Sequence, residues 1–316
     1  MEADQVTTSQ KEEMPTPAVP THATRACCED CAERARAPEQ LIYAIGHLEA
    51  RFPSLGIERE YQQRLARTPR ALDSAVTNGG RTRVVLEAHG HLAMSMCFVF
   101  MIGGVPAYVV APVGSHTRFE VMDALEHAED PDHVCVIIGR AGPISAPESC
   151  GGVVAPIVVA NQIYSFTLQD WAADLYEQLG SALKSQKLTN TEFSSVARAM
   201  FKHAVNSTEN LGASDAHRAL NYALLQHPGL FLAAAERTGK QLLDRIEARM
   251  IHGLGSRRQV AIILTFVNLT TGVAERLFTR IDVTEPWPFV ADEADGSRAP
   301  LGLAPFVESA IFGLGF

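Results

Sequence analysis

The residues best suited to chemistry are three cysteines that lie close together near the start of the chain. Cys28 and Cys31 have the C-x-x-C spacing with which two thiolates reach one tetrahedral zinc ion, and Cys27 directly precedes them. Such a pair is half of a site, so further ligands must come from elsewhere in the fold. We expect Cys150 to be one of them, because the two glycines that follow it let the backbone approach closely.

The expected cofactor is a structural zinc ion that fastens the N-terminal segment to the rest of the protein, and a catalytic zinc is the less favoured use. The fourth ligand stays open among Cys27, His89 and His91. The alternative is a polar tail with free thiols and an unrelated loop cysteine at position 150. Cys97 and Cys135 lie in apolar runs, and we expect both to be inert core residues.

Four polar residues form a second candidate site, this one for a peptide. Asn161 and Gln162 follow a buried apolar run, and amides at a strand end can pair with the backbone of another chain. Arg218 and Asn221 lie one turn apart on a predicted helix, where they could border a groove and hold a peptide backbone. The alternatives are structural: the two amides would cap the next helix, and the helical pair would tie the helix to a sheet.

The composition is that of a globular protein and excludes several classes of function. The chain has 316 residues, 47% of them hydrophobic and 20% charged, so it can bury a sizeable core. A net charge of −9 argues against a general nucleic-acid binder, which should be basic. No P-loop, G-x-G-x-x-G or H-E-x-x-H motif supports nucleotide binding or zincin chemistry.

The compartment and the membrane question follow from two apolar patterns. The N-terminal segment is polar and has no apolar centre, so we expect no signal peptide, a cytoplasmic protein and reduced cysteines. Residues 92–113 carry no charge and are long enough to span a bilayer, but Gly103, Gly104 and Pro106 interrupt them. Two strands joined by a tight turn explain this pattern better, so we expect a hairpin and no membrane contact.

The elements that position these residues predict an α+β fold. We expect a disordered tail over residues 1–37, which ends in the cysteine cluster, and a single domain over 38–316. Its order would be N-terminal helices, a central mixed or antiparallel sheet, a helical segment and a C-terminal antiparallel β-meander. The predicted helices cover residues 38–52, 55–67, 70–76, 118–129, 167–179, 193–204 and 215–226, and the predicted strands cover 94–102, 105–111, 134–138, 153–160, 242–250, 260–267 and 277–283.

Five segments of the chain resemble one known family, and they occur in the family's order. That family is the C-terminal domain of unknown function of the cyanobactin maturation proteases of the PatA/PatG type. The segments are LIYAIGHLEARFPSLGIEREYQQ (Leu41–Gln63), MCFVFMIGGVPAYVVAP (Met96–Pro112), VIIGRAGPISAPESCGGVVAPIVVANQIYSF (Val136–Phe166), GASDAHRALNYALLQHPGLF (Gly212–Phe231) and FTRIDVTEPWPFV (Phe278–Val290).

The resemblance implies a role in maturing ribosomal peptides, without the protease that usually precedes this domain. No serine of this chain lies in a nucleophile elbow, and the His-Gly-Thr and Gly-Thr-Ser-Met segments of that protease are absent. We therefore expect a free-standing domain that is no serine protease. Related domains often carry cysteines before the first helix and one at the turn that holds Cys150, so the resemblance supports grouping Cys28, Cys31 and Cys150.

Three functional hypotheses follow, of which the first is preferred. It is a non-catalytic accessory protein that binds a precursor peptide or a partner maturation enzyme, with no nucleic acid and no membrane as partner. The second is a metal-dependent, peptide-modifying enzyme that uses a cysteine-bound zinc. The third is an oligomerisation module, such as a homodimer, which the apolar C-terminus favours.

A zinc site at the cysteine cluster has a direct test. Purified protein should contain about one zinc ion per chain, and Cys28→Ser or Cys150→Ser should release it and lower the melting temperature, because structural zinc contributes folding free energy. Metal analysis and calorimetry give the two readouts, with Cys135→Ser as the control that keeps its metal. Protein that holds no zinc when purified without chelators would rule the site out.

Overall fold

Five strands close into a barrel in the first half of the chain. The structure is a computed structural model that describes residues 40–73, 76–185, 188–206, 210–252, 255–291 and 303–308. Around the barrel the strand order is β1-β2-β3-β5-β4, and every neighbouring pair is antiparallel except β3 with β5. The barrel strands are β1 (Leu41–Arg51), β2 (Cys97–Ile102), β3 (Val105–Pro112), β4 (His133–Ile144) and β5 (Pro156–Thr167).

A second, antiparallel sheet forms the C-terminal third. The strands β6, β7 and β8 follow one another as a meander, and the two short strands β9 and β10 both pair with β8. This sheet confirms the predicted C-terminal meander and, with the helices, the α+β class. Its strands are β6 (Gln241–Ile251), β7 (Gln259–Asn268), β8 (Ala274–Asp282), β9 (Phe289–Val290) and β10 (Ala304–Pro305).

The helices fall into two groups, one beside each sheet. The first group comprises α1 (Leu55–Leu65), α2 (Asn78–Ala88), α3 (Gly90–Ser95) and α4 (Gly114–Glu126), with a 3₁₀ turn at Pro69–Leu72. The second group comprises α5 (Leu168–Gln178), α6 (Gly180–Ser185), α7 (Asn190–Asn206), α8 (Asp215–Gln226) and α9 (Pro228–Arg237), and a further 3₁₀ turn spans Pro147–Ser149. None of the helices in the described ranges combines the length and apolar character needed to cross a bilayer.

Two cores follow from this layering. The first lies inside the barrel and against α2 and α4, and it includes Leu48, Phe100 and Ile137. The second fills the space between the outside of the barrel, the helices α5 to α9 and the inner face of the C-terminal sheet, where Phe231 and Ile262 are fully buried. Helix α8 contacts β1 on one side and β6, β7 and β8 on the other. It is therefore the central element between barrel and sheet.

The first predicted helix, over residues 38–52, is wrong, because Leu41–Arg51 form strand β1. Both faces of this strand are buried: Tyr43 and Ile45 face the helices, while Ile42 and Leu48 face the barrel interior. A strand buried on both faces reads as a continuous apolar run, in which helical spacing appears by chance. The cysteine cluster and the predicted tail lie outside the described residues.

The other predicted elements agree with the structure more closely. The hairpin of β2 and β3 is present, and Gly103 and Gly104 form its turn at positive φ angles of 59° and 78°. The capping pattern at the start of α5 is also present, since the Asp170 amide donates to the Thr167 hydroxyl at 3.1 Å. Of the helix predicted at 70–76, the described residues contain only the 3₁₀ turn Pro69–Leu72, and the predicted helix 215–226 is α8.

Several histidines are wholly or partly buried, which disfavours their charged form. His133 is 5% exposed at the start of β4, and its ring stacks on that of His127 with centroids 4.9 Å apart. Burial lowers the pKa of His133 to about 4, and burial also lowers the pKa values of His47, His217 and His227. At pH values around 6.5 and below, where histidine in the unfolded chain takes up a proton, these four residues therefore bind fewer protons in the folded protein.

The free energy of unfolding should accordingly fall as the pH drops from about 6.5 towards 4, the interval between the unfolded and folded pKa values of His133. For His133 alone the loss between pH 7 and pH 5 is about 2 kcal/mol. Urea unfolding of His133→Gln at both pH values should show a loss smaller by that amount. His116→Gln, which changes an exposed histidine, should keep the full loss. An equal loss in both variants would contradict the assignment.

Candidate functional site

A cavity of about 310 Å³ opens where the barrel, helix α8 and the chain after β8 meet. We call it the tyrosine pocket. Strands β1, β4 and β5 supply one wall, α8 supplies the second, and the segment that joins β8 to β9 supplies the third. Its lining residues are Tyr43, Ile138, Gln162, Tyr164, Tyr222, Gln226, Trp287 and Pro288.

A β-bulge shapes the barrel wall of the pocket. Gln162 pairs with Ile138 and Ala160 pairs with Gly139, so Asn161 is an extra residue without a partner in this ladder. Both amide residues are consequently exposed, although they are neighbours on a strand. Gly139 is required opposite the bulge, because a Cβ atom there would overlap the Val159 carbonyl oxygen. The bulge therefore brings the amide of Gln162 to the pocket.

Three tyrosines line the pocket. The hydroxyls of Tyr43 and Tyr164 lie 3.2 Å apart, and the rings of Tyr43 and Tyr222 meet edge to face at 6.4 Å. Burial raises the pKa of each of the three phenols, so they stay protonated at neutral pH. None of the lining residues carries a charge. The pocket offers neutral donors and acceptors against aromatic walls.

Helix α8 fixes the position of Tyr43 through a buried amide network. The side-chain nitrogen of Asn221 donates to the Tyr43 carbonyl at 2.7 Å and to the Asn210 side-chain oxygen at 3.2 Å. The Tyr43 amide donates to the Gly212 carbonyl at 2.9 Å. Gly212 has a φ of +72°, and a Cβ atom there would collide with Tyr43 and Ala44. These contacts fasten β1 to the start of α8.

The third wall is held by Arg218, which is 1% exposed. Its guanidinium donates to the carbonyls of Val283, at 2.9 Å, and of Glu285 and Pro286. The next residue, Trp287, is 52% exposed, and its indole nitrogen donates to the Gln162 amide oxygen at 3.3 Å. That contact joins the third wall to the barrel wall across the pocket.

The structure places only one of the four residues proposed to bind a peptide in the pocket. Gln162 lines it, and Asn161 is exposed beside it at the bulge. Arg218 and Asn221 lie in the interior, where they hold the protein's own backbone, which is the structural alternative stated for them. The backbone carbonyls that Arg218 and Asn221 bind are 65 and 178 positions away in sequence, so spacing alone could not decide between groove and interior.

Sequence reasoning missed most of the pocket. Tyr43, Tyr222, Gln226 and Trp287 were not singled out, because an isolated tyrosine or glutamine carries no motif. The sequence nevertheless held a signal for the pocket. The family resemblance rests on five segments, and four of these segments together contain every lining residue.

Comparison with known proteins agrees with that resemblance. The family model of the PatG domain matches residues 41–246. The chain belongs to the PatG domain family. A solved structure described as a PatG domain of unknown function has the same fold, with a TM-score of 0.61 and 17% sequence identity over 79% of this chain and 96% of that one. Among curated proteins, none matches the chain significantly.

Cys150 of this PatG domain is joined to Cys97 by a disulfide whose Cα atoms lie 5.3 Å apart. Both residues are buried beside Val99 and Val153. Cys97 is thus a bonded residue and not the inert core thiol that its apolar run predicted, and the expectation of reduced cysteines is wrong for this pair. Local spacing could not indicate the bond, because 53 positions separate the two cysteines in sequence. Cys135 is buried and free, and burial raises its pKa to about 12.

The disulfide changes what the zinc hypothesis requires. A disulfide sulfur is no thiolate, so Cys150 could bind zinc only after reduction. Cys27, Cys28 and Cys31 lie outside the described residues, and the zinc site stays a prediction. The proposed alternatives His89 and His91 lie at the junction of α2 and α3, where His91 contacts Glu60 at 2.8 Å. Within the described ranges, no three His, Cys, Asp or Glu side chains are arranged to hold a metal ion.

Peptide mapping without reductant should recover the Cys97 and Cys150 peptides as one linked species. Cys97→Ser should lower the melting temperature, because the disulfide restricts a long loop of the unfolded chain. In the loop-entropy treatment, losing it lowers the free energy of unfolding by up to about 4 kcal/mol. Cys135→Ser is the matched control, as it removes a buried thiol with no bond. If both residues instead react with a maleimide after unfolding without reductant, the pair is not bonded.

Proposed function

We propose that this PatG domain is a non-catalytic accessory protein that binds a peptide in the tyrosine pocket. The observation that carries the proposal is the lining itself, in which two primary amides lie among aromatic rings and no residue is charged. A primary amide has both donors and an acceptor, so the side chains of Gln162 and Gln226 can bind the C=O and N–H groups of a peptide backbone. Tyr222, Trp287 and Pro288 would enclose an uncharged side chain.

The size of the pocket limits the ligand to a short element. A volume of about 310 Å³ is at the low end for ligand sites, so one or two residues of an extended peptide would enter it. A charged side chain is disfavoured, because no lining residue compensates its lost hydration. The preferred ligand is therefore an uncharged stretch within a longer peptide.

The pocket chemistry also supports a binding role over a catalytic one. Its titratable groups are phenols whose pKa values are raised, so none is a base at neutral pH. No serine, cysteine or histidine lines it. The metal-dependent enzyme remains the alternative, and it depends on a cysteine cluster outside the described residues.

The partner is proposed from the family. PatG domains take their name from cyanobactin maturation, so the bound peptide is proposed to be a ribosomal precursor or a segment of a partner maturation enzyme. A cytoplasmic location remains a prediction made from the sequence. The oligomerisation module, for instance a homodimer, is the second alternative, and its test is the molar mass of the purified protein in solution.

Peptide binding can be followed through Trp287, because Trp171 is the chain's only other tryptophan. In a Trp171→Phe background, the precursor peptide and a capped hexapeptide centred on Val-Pro should change the emission of Trp287 saturably. A hexapeptide centred on Asp-Lys should not. Gln162→Leu should weaken binding about tenfold, the effect of losing roughly one hydrogen-bonding group.

Asn161→Leu is the matched control, because it removes the neighbouring amide that does not line the pocket. It should bind as the parent does. Saturable binding that Gln162→Leu leaves unchanged would place the peptide elsewhere. A lack of binding to the precursor, the hexapeptides and the partner enzymes would reject the proposed function.

A further inference from the structure

Three of the four backbone carbonyls of residues 283–286 are directed towards helix α8. The Arg218 guanidinium binds all three, those of Val283, Glu285 and Pro286. Its remaining contact is with a carboxylate oxygen of Asp215, at 3.3 Å. A planar guanidinium can bind several acceptors in fixed directions, so Arg218 sets the path of this segment and not only its distance from the helix.

A second arginine binds the same segment from the solvent side. Arg258, whose side chain is 46% exposed, donates to the carbonyls of Val283 at 3.3 Å and of Thr284 at 3.0 Å. It also contacts both carboxylate oxygens of Asp215 at 3.1 Å. Asp215 thus lies between the two guanidinium groups and offsets part of their charge.

The burial of Arg218 points away from a role in stability alone. Removing a cation from water costs several kcal/mol, and a buried charged group often contributes no more net stability than an apolar side chain of the same size. The partners of Arg218 are mostly neutral carbonyls, which compensate this cost only in part. The guanidinium instead holds the segment before Trp287 and Pro288 in one defined conformation.

We infer that Arg218 is a positioning residue of the tyrosine pocket, since it fixes the segment that carries the Trp287 and Pro288 wall. Without the guanidinium, the carbonyls of Glu285 and Pro286 would lose their donor and turn to water, and the indole of Trp287 would lose its position against Gln162. Arg218 itself does not line the pocket. The inference rests on the proposed function only for what the pocket binds, and the placement of Trp287 can be measured without any ligand.

The test compares Arg218→Met and Arg218→Lys in the full-length Trp171→Phe chain. In Arg218→Met, acrylamide should quench Trp287 about twofold more strongly, and the Val-Pro hexapeptide should bind at least about tenfold more weakly. Arg218→Lys should recover part of both effects, because an ammonium can still bind one or two of the carbonyls. A purely structural arginine would change the unfolding midpoint and leave quenching in the folded state unchanged.

Arg237→Met is the matched control, because Arg237 also ties a helix to the C-terminal sheet, through Glu275 at 2.9 Å, but it does not touch residues 283–286. It should leave quenching and binding unchanged. If Arg218→Met does not fold, Arg258→Gln tests the same segment from the exposed side and should raise quenching in the same direction. Unchanged quenching in every folded variant of Arg218 and Arg258 would overturn the inference. Changed quenching in a protein that binds no peptide would reject only the proposed function.

Discussion

Two polar side chains one turn apart on helix α8 connect the barrel to the C-terminal sheet. Asn221 binds the Tyr43 carbonyl of β1, and Arg218 binds the carbonyls that follow β8. Both are fully buried, so each must find its partners within the protein or lose the hydrogen bonds that water would give it. This requirement restricts how the barrel, the helix and the sheet can be arranged, whereas apolar packing alone would tolerate sliding. The three walls of the tyrosine pocket meet at this junction.

This arrangement makes the tyrosine pocket polar but uncharged. Its tyrosines lie against the helical layer, where burial raises their pKa values and keeps them neutral, while Gln162 and Trp287 lie nearer the solvent. Polarity without charge suits a ligand whose own groups are peptide units and uncharged side chains. The same property removes the usual means of acid–base catalysis, because a phenol with a raised pKa neither accepts nor readily releases a proton at neutral pH.

Closure of the barrel has a consequence for partners. A closed barrel leaves no unpaired strand edge, so strand addition is not available there. In the C-terminal sheet, β8 is partly covered by β9 and β10, and β6 carries charged residues and a bulge near Asp244, two features that protect exposed edges. The described strands therefore offer little unprotected edge for strand addition.

The sequence by itself determined the α+β class, the β2–β3 hairpin, the cap of α5, the extent of α8 and the C-terminal meander, because local spacing and turn residues specify each of them. It also identified the family through five ordered segments. It could not show that residues 41–51 form a strand, because a strand buried on both faces has no alternating pattern. Nor could the sequence predict the disulfide between Cys97 and Cys150 or the burial of the Arg218 side chain, since both depend on partners more than 50 residues away. Only the tertiary structure decided the pocket, because its lining residues come from five separate elements that meet through the burial of α8.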